Sequence, residues 1–243
     1  MAAELRRDGV RSSLLWDVLC EVASARVSET GRTALDIVDV GGGTGGLAVP
    51  FASLGHHVTV VDPSPDALAA AQRRAAEAGA RLAAVQGEAA SLDSVAGAAA
   101  ADLVICHNVL EYVDSPADAM TAIARVLRPH ATVSVLASNA VAAVLHRALA
   151  GRFAEAHQLI GEQDDPAGLP HRFTLPGLTE LIEGAGLRAG QAHGLRIFSG
   201  LVPAALVDGD PGRAEALRAL EAAAACTPPL RDIAAQLHVL GHR

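Results

Sequence analysis

The chain has 243 residues, a formal net charge of −8 and an isoelectric point near 5.6, so bulk charge disfavours adhesion to a phosphate backbone, and any nucleic-acid contact needs a local arginine cluster. All 19 basic residues are arginine, which removes a P-loop lysine, a Schiff-base lysine and the Tyr-Lys couple of short-chain dehydrogenases. No apolar run approaches the roughly eighteen residues that span a bilayer, and three scattered cysteines point to a reduced setting without a metal site.

The first residues, Met1 to Asp8, lack the apolar core of a signal peptide, and a cytoplasmic location is expected. Residues 12–27 read as an amphipathic helix with Leu14, Leu15, Val18, Leu19 and Val22 on one face. A strand at 35–40, a helix from Thr44 to about Leu54 and a strand at 57–62 follow. Ser64 caps an alanine-rich helix to about Gly79, and further strands lie near 81–86 and at 102–106. A helix over 115–128 stops before Pro129, and a fifth strand covers 131–137. This alternation implies an α/β fold, a parallel sheet with helices on both faces.

After Asn139 the rhythm changes. Residues 140–172 hold an alanine- and leucine-rich helix, then the polar stretch from Gly161 to Pro170, and read as an insertion or lid after strand five. A helix at 174–185 with Thr174 as its cap, a strand through about 188–198, a helix at 211–225 and a short strand near 236–241 complete the chain. Residues 1–243 are expected to form one domain, with 1–30 as an N-terminal helical cap.

The most informative stretch is Leu35-Asp-Ile-Val-Asp-Val-Gly-Gly-Gly-Thr-Gly-Gly46, followed by His57-Val-Thr-Val-Val-Asp62. A strand that ends in glycines lets backbone N–H groups and a helix N-terminus approach a ligand, and an acid on the next strand can accept both ribose hydroxyls. Two cofactors fit this loop. Gly41, Gly43 and Gly46 satisfy the dinucleotide pattern G-x-G-x-x-G, with Asp62 at the distance an NAD ribose needs. The same residues after Asp39 fit the D-x-G-x-G-x-G loop of S-adenosylmethionine (SAM) enzymes.

Two further segments converge on the same sheet edge. Glu88 and Ala89 follow strand three, where an acid and a backbone N–H would meet an adenine; Glu88 could equally charge the first turn of a helix. His107 and Asn108 emerge after strand four and are expected to face the pocket, with Val109, Leu110 and Val113 as packing and Glu111 as a solvated or capping group.

Together, Asp39-Val-Gly-Gly-Gly-Thr-Gly45, Asp62, Gly87-Glu-Ala89 and His107-Asn-Val-Leu-Glu-Tyr-Val113 resemble a class I SAM-dependent methyltransferase. More narrowly the chain resembles the bacterial tRNA 5-carboxymethoxyuridine methyltransferase family. Arg11-Ser-Ser-Leu-Leu-Trp16, Ser138-Asn-Ala140, Gly194-Leu-Arg-Ile-Phe198 and Pro228-Pro-Leu-Arg231 resemble that family's segments at the same points. The resemblance implies a Rossmann-like fold with a seven-stranded, mostly parallel sheet, SAM as cofactor and S-adenosylhomocysteine (SAH) as product. It implies cofactor contacts from Arg11, Asp39, Gly41, Gly42, Gly43, Asp62, Glu88, Ala89 and His107. Where the family carries lysines in the insertion, this chain has Glu162-Gln-Asp-Asp165, and Ser199-Gly-Leu201 replaces a histidine-aspartate-tyrosine.

Methyl transfer asks for alignment and desolvation of a nucleophile. A carboxylate acceptor, such as that of a modified tRNA uridine, needs no base and would be oriented by Arg196 through a bidentate pair, with Arg172 as a second choice. A hydroxyl or amine acceptor on a small molecule needs a base, and His107 is the residue a motif places for it. A SAM- or SAH-binding module without catalysis is the third reading.

Overall fold

The computed structural model describes residues 2–160, 171–207 and 209–243; side chains are described from residue 14 on, except that of Ala204. Seven strands form one sheet: β1 (Asp36–Val40), β2 (His57–Asp62), β3 (Ala83–Gln86), β4 (Ala101–His107), β5 (Leu127–Ser138), β6 (Arg188–Leu195) and β7 (Gln236–His242). Their order across the sheet is β3-β2-β1-β4-β5-β7-β6. β1 pairs in parallel with β2 and β4, β2 with β3, and β4 with β5. β7 runs against β5: Arg243 bonds Ala131, His242 meets Thr132, and Gly241 touches Val133. The central strands are apolar on both faces, as a helix-covered parallel sheet requires; β4 is buried from Ala101 to Cys106.

The helices are α1 (Ala2–Thr30), α2 (Ala48–Ser53), α3 (Pro65–Glu77), α4 (Leu92–Ala96), α5 (Pro116–Val126), α6 (Ala140–Leu149), α7 (Phe153–Gln158), α8 (Leu175–Gly184) and α9 (Pro211–Ala224). Short polar side chains start several of them. Ser64 accepts the Ala67 N–H, Ser115 that of Asp118, Asn139 that of Val141, and Asp210 those of Gly212 and Arg213. Proline follows three of these caps, where its missing N–H costs nothing.

Four expectations need correction. α2 begins at Ala48 rather than Thr44, because Gly45 at φ 79° cannot start a helix. β5 begins at Leu127, and its register against β4 slips between Ala101 and Leu103; the extra residues include Pro129 and His130, the latter at φ 63°. β6 stops at Leu195 and not near 198, since Arg196 is left-handed at φ 60°. Glu111 is fully buried, not solvated. The short helices α4 and α7 escaped the sequence reading, having too few turns to show a period.

Contacts divide the chain into two compact units. One comprises residues 21–136, 178–190 and 239–243, the other 1–20, 137–177 and 191–238. The first is tied at the amino ends of its strands by Asp102, which is 1% exposed and accepts bonds from Arg32 at 2.6 Å, Arg128 at 2.8 Å and the Asp36 N–H at 3.0 Å. In the second, Asn139 donates through Nδ2 to the carbonyls of Asp232 and Ala234, stitching the end of β5 to the approach of β7.

Candidate functional site

In the first unit, β1 delivers the chain to Gly41, whose N–H donates to the Val61 carbonyl at 2.7 Å, so the loop turns over the neighbouring strand. Gly41 and Gly43 have φ of 63° and 54°, which glycine adopts freely. Space imposes the same choice. A Cβ on Gly41 would lie 2.5 Å from Val109 Cγ2, and one on Gly42 would lie 2.7 Å from the Asp39 carboxylate. The loop rests directly on the side chains beneath it, and its bare backbone is what a ligand would meet.

Asp62, at the end of β2, accepts the Gly43 N–H on Oδ2 and the Ser64 N–H on Oδ1, both at 2.9 Å. Each oxygen keeps lone-pair capacity for a ligand hydroxyl. The acid therefore braces the glycine loop as well as offering acceptors, a double use its spacing alone did not reveal. Asp39 is buried against Gly42, and its pKa is raised to about 7. Burial is the main cause, the Asp62 charge adds to it, and the Ala48 N–H opposes it.

A cavity of about 670 Å³ is lined by, among others, Gly41, Asp62, Glu88, Ala89, Asn108 and Tyr112, a volume in the range of small-molecule sites. Glu88 is exposed and stands at the start of the turn Ala89–Ser91 without a side-chain capping bond. Asn108, at φ 54°, takes its place on this wall. His107 does not line the cavity as expected; its Nε2 lies 2.7 Å from Ser134 Oγ on β5. Val109, Tyr112 and Val113 were read as packing or left without a role, yet they form wall; a strand end with converging loops was the signal, since residues just past it must line something. Among the described residues no cluster suited to a metal ion occurs, and no helix is long and apolar enough to cross a membrane.

Comparison with known proteins bears on what this arrangement is. Residues 38–135, the span of the glycine loop, Asp62 and the β4 edge, match the family model described as a methyltransferase domain. This span is a methyltransferase domain. Its cofactor is SAM, and the choice that the glycine loop left open is resolved against NAD. The tRNA 5-carboxymethoxyuridine methyltransferase of Escherichia coli (strain K12) is 31% identical over 150 residues, 59% of this chain and 54% of that protein. The ubiquinone biosynthesis O-methyltransferase of Methylobacterium nodulans is 40% identical over 95 residues, 38% of this chain and 37% of that protein. The chain thus matches about half the length, or less, of these curated relatives. A SAM-dependent methyltransferase of Methanosarcina mazei shares the fold at a TM-score of 0.60 and 17% identity, over 87% of this chain and 93% of that one. The candidate site fits SAM on structural grounds too: glycines with no room for a Cβ, an acid with acceptor capacity, and a cavity of suitable volume.

In the second unit Arg196 follows β6, half-buried, and its guanidinium has no ion-pair partner among the described residues. Its cation and burial together lower the pKa of His146 on α6, burial being the larger cause. Arg152 is paired with Glu155 at 3.3 Å, which takes it out of any free cationic patch. The Arg11 side chain and residues 162–165 lie outside the described residues.

Proposed function

We propose that this chain transfers the methyl group of SAM to a carboxylate, that of a modified tRNA wobble uridine, with Arg196 as the acceptor's anchor. The observation that carries the reading is Arg196: a left-handed arginine whose guanidinium has no ion pair among the described residues, inside the segment Gly194-Leu-Arg-Ile-Phe198 that resembles the tRNA-modifying family. The 31% identity to a tRNA 5-carboxymethoxyuridine methyltransferase supports the same acceptor.

SAM, when bound, supplies a methyl group already activated on a sulfonium. The chain's own work is placement. The backbone at Gly41, Gly42 and Gly43 approaches the cofactor closely, Asp62 accepts the ribose hydroxyls, Glu88 and the Ala89 N–H meet the adenine, and Asp39 faces the methionine moiety. A carboxylate acceptor needs no proton removed, so this reading gives His107, tied to Ser134, no role as a base. Arg196 holds the acceptor carboxylate by a bidentate, charge-assisted pair.

A second reading, a hydroxyl acceptor on a small molecule, is favoured by the similarity to a ubiquinone biosynthesis O-methyltransferase. It makes His107 the base. The pH dependence of transfer separates the two. At saturating SAM a carboxylate acceptor predicts a rate that holds from pH 8 down to pH 5.5, whereas a base that must be deprotonated predicts a tenfold fall per pH unit once it is protonated.

A further inference from the structure

Glu221, on α9 and 7% exposed, accepts three consecutive backbone N–H groups. Ile197 donates to its Oε2 at 2.8 Å, and Phe198 and Ser199 donate to its Oε1 at 2.9 Å and 2.6 Å. Three charge-assisted bonds to one buried carboxylate pin a chain segment harder than neutral pairing would. The pinned segment starts directly after Arg196. That residue is left-handed, a conformation a bulky side chain keeps only where its surroundings over-determine it. From the other direction the Arg196 carbonyl accepts the Ala235 N–H at 3.3 Å, and Ile197 packs with Ala224 and Ala234 in a small core. The backbone on both sides of one arginine is therefore fixed, while the arginine's own head group carries no ion pair among the described residues.

We infer that Glu221 is a positioning residue for acceptor binding: it fixes the 197–199 backbone so that the Arg196 guanidinium is presented to the acceptor carboxylate in a single orientation. The inference rests on the reading of Arg196 as the anchor. Preorganisation of this kind acts on acceptor affinity, since an unpinned arginine must lose its freedom at each encounter. It leaves the cofactor loops in the other unit untouched. A purely structural staple would instead lower stability with no preference for the acceptor.

The test uses the full chain with Glu221→Gln, Glu221→Asp and Arg196→Gln, assayed for methyl transfer to tRNA bearing the free carboxymethoxy group, with SAH affinity measured by calorimetry. Glu221→Gln is expected to raise the acceptor KM roughly tenfold, with kcat and SAH affinity within about twofold, and Arg196→Gln to raise KM at least as much. If the Gln variant does not fold, Glu221→Asp decides, and a smaller rise in KM at unchanged SAH affinity supports the proposal. A folded Glu221 variant with unchanged KM, beside a raised KM in Arg196→Gln, overturns the role of Glu221 alone. Unchanged KM in all three variants overturns the Arg196 anchor and the inference with it. A wild-type enzyme that transfers no methyl to this tRNA removes the carboxylate reading on which both stand.

Discussion

Burial under the glycine loop gives Asp39 a pKa of about 7 against an ordinary 3.8, so at neutral pH it is a half-protonated group beside the candidate cofactor cavity. The folded value lies above the unfolded one. The stability it contributes is therefore whole below about pH 4 and is lost as pH rises through 7. A cationic amino-acid moiety placed against Asp39 favours the ionised form, so binding releases a proton. SAH affinity is expected to rise by up to about tenfold from pH 6 to pH 8, and Asp39→Asn to flatten that rise while making the unliganded protein more stable at pH 8. Calorimetry in buffers of different ionisation enthalpy reads both effects, and the same slope in wild type and variant would take Asp39 out of the response. Asp62→Ala is expected to weaken SAH binding by at least roughly tenfold, because it loses a charged acceptor and also the brace on Gly43 and Ser64. Unchanged affinity would withdraw Asp62 from the cofactor site. At this scale the sequence showed acids and glycines by spacing. It did not show that the Asp39 pKa is raised or that His107 turns to Ser134, because both depend on neighbours distant in the chain.

The glycine loop works as an element because its backbone sits on packed side chains. Gly42→Ala drives a methyl group into the Asp39 carboxylate, a contact of 2.7 Å that must shift the loop. Loss of SAH binding at nearly full thermal stability is the expected outcome in a thermal-shift assay, and retained binding would show that the loop relaxes without cost to the site. At the opposite ends of β1 and β4, Asp102 holds three arginines and a strand N–H. Asp102→Ala leaves those cations facing an empty acceptor and is expected to destabilise the fold by about 3–5 kcal/mol, read as a lower urea midpoint. A change under 1 kcal/mol would mean that solvent and Asp36 replace it. Long, regular elements such as α3 and β4 were legible through caps, prolines and apolar runs. The end of β6 was not, for Glu221 lies in an alanine-rich helix with nothing in its local pattern to mark it as the partner of residues 197–199.

For the molecule as a whole, the acidic balance works against a tRNA acceptor. With a net charge of −8, repulsion from the phosphate backbone is screened only over about 10 Å at moderate salt. Arg152 is already paired with Glu155, so it adds little to the anchoring charge in this reading. Binding is therefore expected to depend on few phosphate contacts, so tRNA affinity should fall by less than about a hundredfold between 50 and 200 mM salt. A steeper fall in a gel shift would reveal a broader cationic contact with the phosphates. The α/β rhythm made the fold legible, because parallel strands and their helices repeat a pattern along the chain. The acceptor was less legible, because Arg196 becomes distinctive only once its backbone conformation and the α9 glutamate that pins residues 197–199 are seen. The central claim, transfer to a carboxylate, is tested most directly by the alkali lability of the product. With methyl-labelled SAM and tRNA carrying the free carboxymethoxy group, the label is expected to enter the tRNA and to leave it as methanol in mild base, as a methyl ester does. Label that stays in the tRNA after base treatment, or that enters only small hydroxyl acceptors, would contradict the account.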